Sequence, residues 1–95
     1  MRAIFLVSVV PDHKDKLRTF LQQHPNLNGL FKINNGFDFL FEMIYKTMDE
    51  LEQFNEYLDR HFMLKEKHVH YIVEDITREQ FLSDSIHNNL FNLAE

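Results

Sequence analysis

Residues 3–10, Ala-Ile-Phe-Leu-Val-Ser-Val-Val, are apolar on both sides of an extended chain, and this limits what the remainder can build. Strand side chains alternate between faces. Phe5, Val7 and Val9 therefore point one way and Ile4, Leu6 and Val10 the other, with Ser8 the one polar member. A strand that is hydrophobic on both faces is covered on both.

A second stretch, residues 34–62, supplies a turn, a strand and a helix in immediate succession. Asn35-Gly36 is a short hairpin signal, because both residues tolerate the positive φ of a tight primed turn. In the strand after it, residues 37–45, alternation puts Phe37, Phe39, Phe41, Met43 and Tyr45 on one side. Asp38, Leu40, Glu42 and Ile44 fall on the other. Thr47-x-x-Glu50 is a capping box that starts a helix, and Leu51, Phe54, Leu58 and Phe62 give that helix one apolar stripe.

The flanking segments complete the pattern. Pro11-Asp12 stops the first strand, and Asp12 is expected to cap a helix whose stripe is Leu17, Phe20 and Leu21. Pro25 disfavours helical geometry at His24, so that helix ends there. Asn26, Asn28 and Gly29 are turn residues, and residues 30–33 form a short strand pairing with 37–45. A polar-tinged lead, residues 64–67, precedes a last strand over 68–75, where Val69, Tyr71 and Val73 alternate with His68, His70, Ile72 and Glu74. A second capping box, Thr77-x-x-Gln80, opens a C-terminal amphipathic helix carrying Phe81, Leu82, Ile86, Leu90 and Phe91.

The order is strand-helix-strand-strand-helix-strand plus one helix. This is a ferredoxin-like α+β arrangement: βαββαβ, a four-stranded antiparallel sheet with two helices on one face, and a C-terminal helix. One domain spans residues 1–76, and residues 77–95 extend it as the C-terminal helix. Two helices cover one face of a sheet, yet the first strand is apolar on both, and Leu40, Ile44 and Ile72 add to the other face. A second copy of the chain, packed sheet to sheet, is the simplest cover, so a homo-oligomer, dimeric or higher, is expected.

Composition excludes several classes. The chain of 95 residues is one domain's worth, and no run approaches the roughly 18 to 20 apolar residues of a membrane span. Residues 3–10 lack the length and cleavage pattern of a signal peptide, so a cytoplasmic protein without membrane attachment is expected. With no cysteine there is no disulfide framework and no thiolate chemistry. A net charge of −5 argues against direct nucleic-acid binding, which needs a basic face.

Asn35-Gly36-Phe37-Asp38-Phe39-Leu40-Phe41 resembles the Gly-x-aromatic-Asp-x-Leu-Leu hairpin of the effector-binding half, or RAM domain, of the Lrp/AsnC transcription regulators. The helix at Asp49-Glu50-Leu51, the lead at Leu64 and the strand Tyr71-Ile72-Val73-Glu74 fall at that family's spacing, so the resemblance covers residues 3 to about 76. Asn35 stands where the family usually has Gly, and His68 and Val69 where it often has Arg and Thr. The resemblance implies a domain that assembles dimers and higher oligomers and binds small amino-acid effectors between subunits near the hairpin. It implies a stand-alone module, since the family's helix-turn-helix precedes this domain and the first strand here begins at Ala3. It also implies Asn35, Gly36, Phe37 and Asp38 as ligand-binding residues, and full-length Lrp/AsnC relatives as co-assembly partners in transcription regulation.

Each candidate has a plainer role beside it. Asp38 can accept a bond from an effector's ammonium or from backbone amides at its own turn. Asn35 and Gly36 can offer amides to a carboxylate or simply make the turn. His68-x-His70 has metal-ligand spacing with Glu74 further along the same face, but edge or interface histidines beside Ile72 are the stronger reading, and no metal or cofactor is assigned. The Phe ladder of the third strand reads as core. No catalytic constellation can be argued, so the chain is read as a binding protein rather than an enzyme. The alternative is a dimeric α+β barrel enzyme similar to small monooxygenases, whose cleft between sheet and helices carries His, Asn or Tyr.

Overall fold

In a computed structural model, which describes residues 1–77, the first strand is the one the others gather on. Five further elements follow β1 (Arg2–Val9): α1 (Pro11–Gln22), β2 (Leu27–Lys32), β3 (Phe39–Ile44), α2 (Met48–His61) and β4 (Leu64–Ile72). The sheet order is β2-β3-β1-β4, with every pairing antiparallel. This is the expected ferredoxin-like βαββαβ arrangement, and β1 lies between β3 and β4, hydrogen-bonded along both of its edges. The expected C-terminal helix lies outside the described residues.

One face of the sheet meets both helices. Ala3, Phe5, Val7 and Val9 of β1 and Phe39, Phe41 and Met43 of β3 are buried there. The helical stripes that cover them are Leu17 and Leu21 of α1 and Leu51, Phe54, Leu58 and Phe62 around α2. Phe5 and Phe41 stack with centroids 5.0 Å apart, and Phe54 sets its ring perpendicular to Phe5 at 5.5 Å. Offset and edge-on ring pairs add about 0.5–1.5 kcal/mol each beyond area burial.

The helix starts differ from each other. Thr47 caps α2, its hydroxyl accepting from the Glu50 amide at 3.2 Å. The expectation for Asp12 is corrected: the N-cap of α1 is Val10, which gives no side-chain bond, Pro11 occupies the first turn and Asp12 is the acidic residue there. Pro at that position loses nothing, since its missing N–H would have had no intrahelical partner.

Two strand boundaries also move. β2 begins at Leu27, with a register irregularity between Leu27 and Gly29. β4 begins at Leu64 and ends at Ile72, because its partner β1 runs only from Arg2 to Val9. Val73 therefore lies beyond the ladder and is 94% exposed instead of facing inward. Lys67, read as part of a polar lead, turns to α2 and pairs with Asp59 at 2.7 Å and with Asn55.

The other face of the sheet is covered by nothing in the described chain. Its cross-strand rows, read from the register, are Phe31-Leu40-Leu6-His68, then Gly29-Glu42-Ile4-His70, then Ile44-Arg2-Ile72. Arg2 crosses this face to Glu42 at 2.8 Å and to Asp75 at 2.8 Å. Phe31 is 58% exposed and Ile44 36%. Ile4, Leu6, Leu40, Ile44 and Ile72 are the residues expected there; Val10 instead leaves the strand as the N-cap of α1.

Candidate functional site

The hairpin is built as its sequence dictates. Asn35 (φ 69°) and Gly36 (φ 91°) both take positive φ, as a two-residue primed turn requires. Below it the Ile33 amide donates to the Asp38 carbonyl at 3.3 Å, so the turn is the closed end of the β2–β3 ladder.

Phe37 does not continue the Phe ladder. The backbone bends at Asp38 before β3 begins at Phe39, so strand alternation does not reach back to Phe37. The Phe37 ring lies edge-on to His68 at 5.3 Å. His68 is opposite Leu6 on the uncovered face, so Phe37 belongs to that face and not to the core.

Asp38 ties the hairpin to the rest of the domain. Its amide donates to the Val7 carbonyl at 2.8 Å, and its carboxylate accepts from the Val9 amide at 2.8 Å. Its other oxygen is 3.2 Å from Lys14 Nζ on α1. Partial burial pushes the Asp38 carboxyl up, but the Val9 amide bond and then the Lys14 ammonium outweigh it, and its pKa lies below the ordinary 3.8. A group whose folded pKa is depressed adds stability at pH above its unfolded value and loses it as pH falls through the folded one. Asp38→Ala is expected to lower the urea midpoint at pH 7 by the equivalent of about 1–3 kcal/mol, the cost of an unpaired Val9 amide. That deficit should narrow as pH falls from the ordinary 3.8 through the lower folded pKa, where wild-type Asp38 also loses its charge.

Lys14 and Arg18, one helical turn apart on α1, and Lys32 of β2 line a small enclosed basin beside Asp38, of about 120 Å³. Asp15, Ile33 and Phe39 complete its wall. Lys14 is held by Asp38, while Arg18 and Lys32 form no ion pair among the described residues. The Lys14/Arg18 spacing was a visible signal of a basic helix face that reading by apolar periodicity passes over.

His68 Nε2 is 2.7 Å from Glu66 Oε2 on the uncovered face. Glu74, the third member of the metal-spaced set, falls beyond the end of β4 and so off its face. No group of three metal-ligating side chains comes together among the described residues.

A larger groove, of about 530 Å³, opens at the other end of α1. Phe20, Phe54 and Tyr57 form its walls, and His24, Asn26, Tyr45, Glu50 and Gln53 bring polar atoms to it. His24 Nδ1 accepts from the Asn26 amide at 3.1 Å, so a neutral ring keeps its proton on Nε2, which is 3.4 Å from the Tyr45 hydroxyl. These residues come from both helices, the segment after α1 and the end of β3. No local spacing reveals them.

Sheet order and helix placement define the class: a ferredoxin-like α+β domain of the kind carried by Lrp/AsnC regulators and by small proteins of the same fold. B. subtilis LrpC superposes with a TM-score of 0.68 at 14% identity, over 80% of this chain and 52% of that one. A transcriptional regulator from Neisseria meningitidis, solved as a complex with L-Met, gives 0.68 at 16% identity over 81% and 52%. A Thermus thermophilus protein gives 0.70 at 12% identity over 81% and 98%. The chain thus spans about half the length of the two regulators and nearly all of the Thermus protein. At these identities the likeness is one of fold. No protein-family model matches the sequence, and no curated protein matches it.

Proposed function

We propose that the chain is an effector-binding and oligomerisation module that acts by binding rather than by catalysis: a homodimer, or a higher assembly of dimers, that senses a small amino acid or related carboxylate at a subunit interface beside the hairpin. The observation that carries this reading is the uncovered apolar sheet face with the hairpin at its end. The row Phe31-Leu40-Leu6-His68 is the one nearest the turn, and Phe37 extends it. A second copy packed on that face would lie against Phe37, at the foot of the Asn35-Gly36 turn.

The site chemistry fits an amino acid. Arg18 and Lys32, in the basin beside Asp38, suit a carboxylate, as do the amides of the Asn35-Gly36 turn. Asp38 has lone pairs beyond those given to Val9 and Lys14, and these suit an ammonium. Phe37 supplies an apolar surface for a side chain. The Neisseria regulator, about half of whose length has this fold, was solved as a complex with L-Met, which supports the reading. Among the described residues no helix is long and apolar enough to cross a membrane. A cytoplasmic location, no direct contact with nucleic acid, and co-assembly with full-length Lrp/AsnC relatives complete the proposal.

The test is a panel of amino acids in a thermal-shift assay, because a ligand that binds only the folded state raises the apparent midpoint. At least one amino acid should give a saturable rise, and Arg18→Gln with Lys32→Gln should reduce that rise while the oligomer persists. A panel without any shift, or a shift indifferent to the double variant, sinks the hairpin site.

A further inference from the structure

We propose that the groove at the far end of α1 from the hairpin is a second ligand site, and that it takes a small organic monoamine in its cationic form. Its volume, about 530 Å³, is within the range of small-molecule sites, roughly 300–1,000 Å³.

The walls are aromatic. Phe20 stacks on Tyr57 at 5.3 Å and lies parallel to Phe54 at 6.3 Å, and His24 sets its edge to Phe54 at 5.3 Å. Faces of Phe and Tyr attract a cation through their quadrupoles. His61 covers one face of Tyr57, stacked at 3.8 Å, but the ring remains 41% exposed and lines the groove beside Phe20.

Charge decides which ligand. Among the described residues lining the groove, Glu50 is the one carboxylate, and there is no Lys or Arg. Burial lowers the His24 pKa, which keeps the ring uncharged, and Nδ1 is already taken by the Asn26 amide. Burial, with the Glu50 charge behind it, pushes the Tyr45 phenol up to about 12, so it too stays neutral and can donate. An anion entering here would meet a like charge and find no cation. A zwitterionic amino acid would bring its carboxylate near Glu50 with no cation to offset it. A monoamine has neither difficulty: its ammonium meets Glu50 and the ring faces, and its apolar part meets Phe20 and Phe54.

The site is separate from the one proposed beside the hairpin. Asp38 and the basin touch the first turns of α1 through Lys14, whereas His24 and Tyr45 lie past the C-terminal end of α1 and the end of β3. Ligand charge also separates them.

The probe is phenethylamine, titrated into the full chain and followed by protein NMR, with phenylacetate and phenylalanine in parallel. Saturable shifts should appear at Phe20, His24, Phe54 and Tyr57 with phenethylamine, and should be at least several-fold weaker with the other two. Glu50→Gln keeps a side chain suited to the start of α2, and it should weaken the amine about fivefold. Tyr57→Leu, at an exposed position, should weaken it about two- to fivefold. Equal binding of phenylacetate overturns the proposal, as does an affinity unchanged in Glu50→Gln. Absence of saturable binding by phenethylamine overturns it as well. Failure of the amino-acid panel has no bearing on these outcomes, since a zwitterion is not the ligand expected here.

Discussion

Leu6→Asp should abolish the proposed dimer, giving either a monomer of much reduced stability or insoluble chain. Leu6 sits in mid-row on the uncovered sheet face, between Leu40 and His68 in register. Ile4, Leu40, Ile44, Ile72 and Phe31 surround it on the same face. Full burial of such side chains contributes about 1.5–3 kcal/mol each, against a total folding margin of about 5–15 kcal/mol for a domain. Association itself costs roughly 4–15 kcal/mol or more, so only part of that burial appears as affinity. A carboxylate in the middle of the patch loses one such contribution and adds a desolvated charge. Together these should raise the dimer dissociation constant by at least about a hundredfold. Phe31→Glu is the companion variant: its side chain is 58% exposed in the single chain, so the fold should survive while the dimer weakens. Sedimentation velocity reads both. Wild type should run at twice the 11.5 kDa chain mass at micromolar concentration, and a well-folded wild-type monomer under those conditions ends the sheet-to-sheet reading.

That face was visible in the sequence because period-two alternation in residues 3–10 is apolar in both phases. The core was legible for a similar reason: Leu51, Phe54, Leu58 and Phe62 recur at helical spacing, and all four are buried. Capping chemistry located the start of α2 at Thr47, where it lies. Local rules failed where the partner sets the outcome. β4 is four residues longer at its start than its composition suggests, because the Lys67 ammonium finds Asn55 and Asp59 on α2 and so a charged residue can face inward. Alternation alone assigns Phe37 to the core, yet alternation holds only within a ladder, and the ladder is broken by the bend at Asp38. The 530 Å³ groove was beyond any local pattern, since Phe20, His24, Tyr45 and Tyr57 meet only when α1, α2 and β3 are assembled.

Phe54→Ala should be among the most damaging single changes in the core, and its effects should reach both the core and the groove. Phe54 is 5% exposed on α2. Its ring contacts Phe5 at 5.5 Å and Phe41 at 6.4 Å on the sheet side. It also contacts His24 at 5.3 Å, Tyr45 at 5.9 Å and Phe20 at 6.3 Å on the groove side. Truncation removes the hydrophobic transfer and leaves a cavity that a stacked Phe5–Phe41 pair fills poorly, at a cost of about 3–5 kcal/mol. For a domain of this size each kcal/mol lowers the melting midpoint by about 4–8 °C, so a fall of at least about 12 °C is expected. Tyr57→Ala is the control on the same helix. Tyr57 is 41% exposed and stacks on Phe20 and His61 at the surface, so its loss should cost less than about 1 kcal/mol. The two variants therefore separate stability from binding: Phe54→Ala should lower the midpoint steeply, whereas Tyr57→Ala should leave it nearly unchanged and still weaken phenethylamine. A Phe54→Ala midpoint within about 4 °C of wild type would mean the core closes over the missing ring. The aromatic wall would then not be the rigid surface that the groove requires.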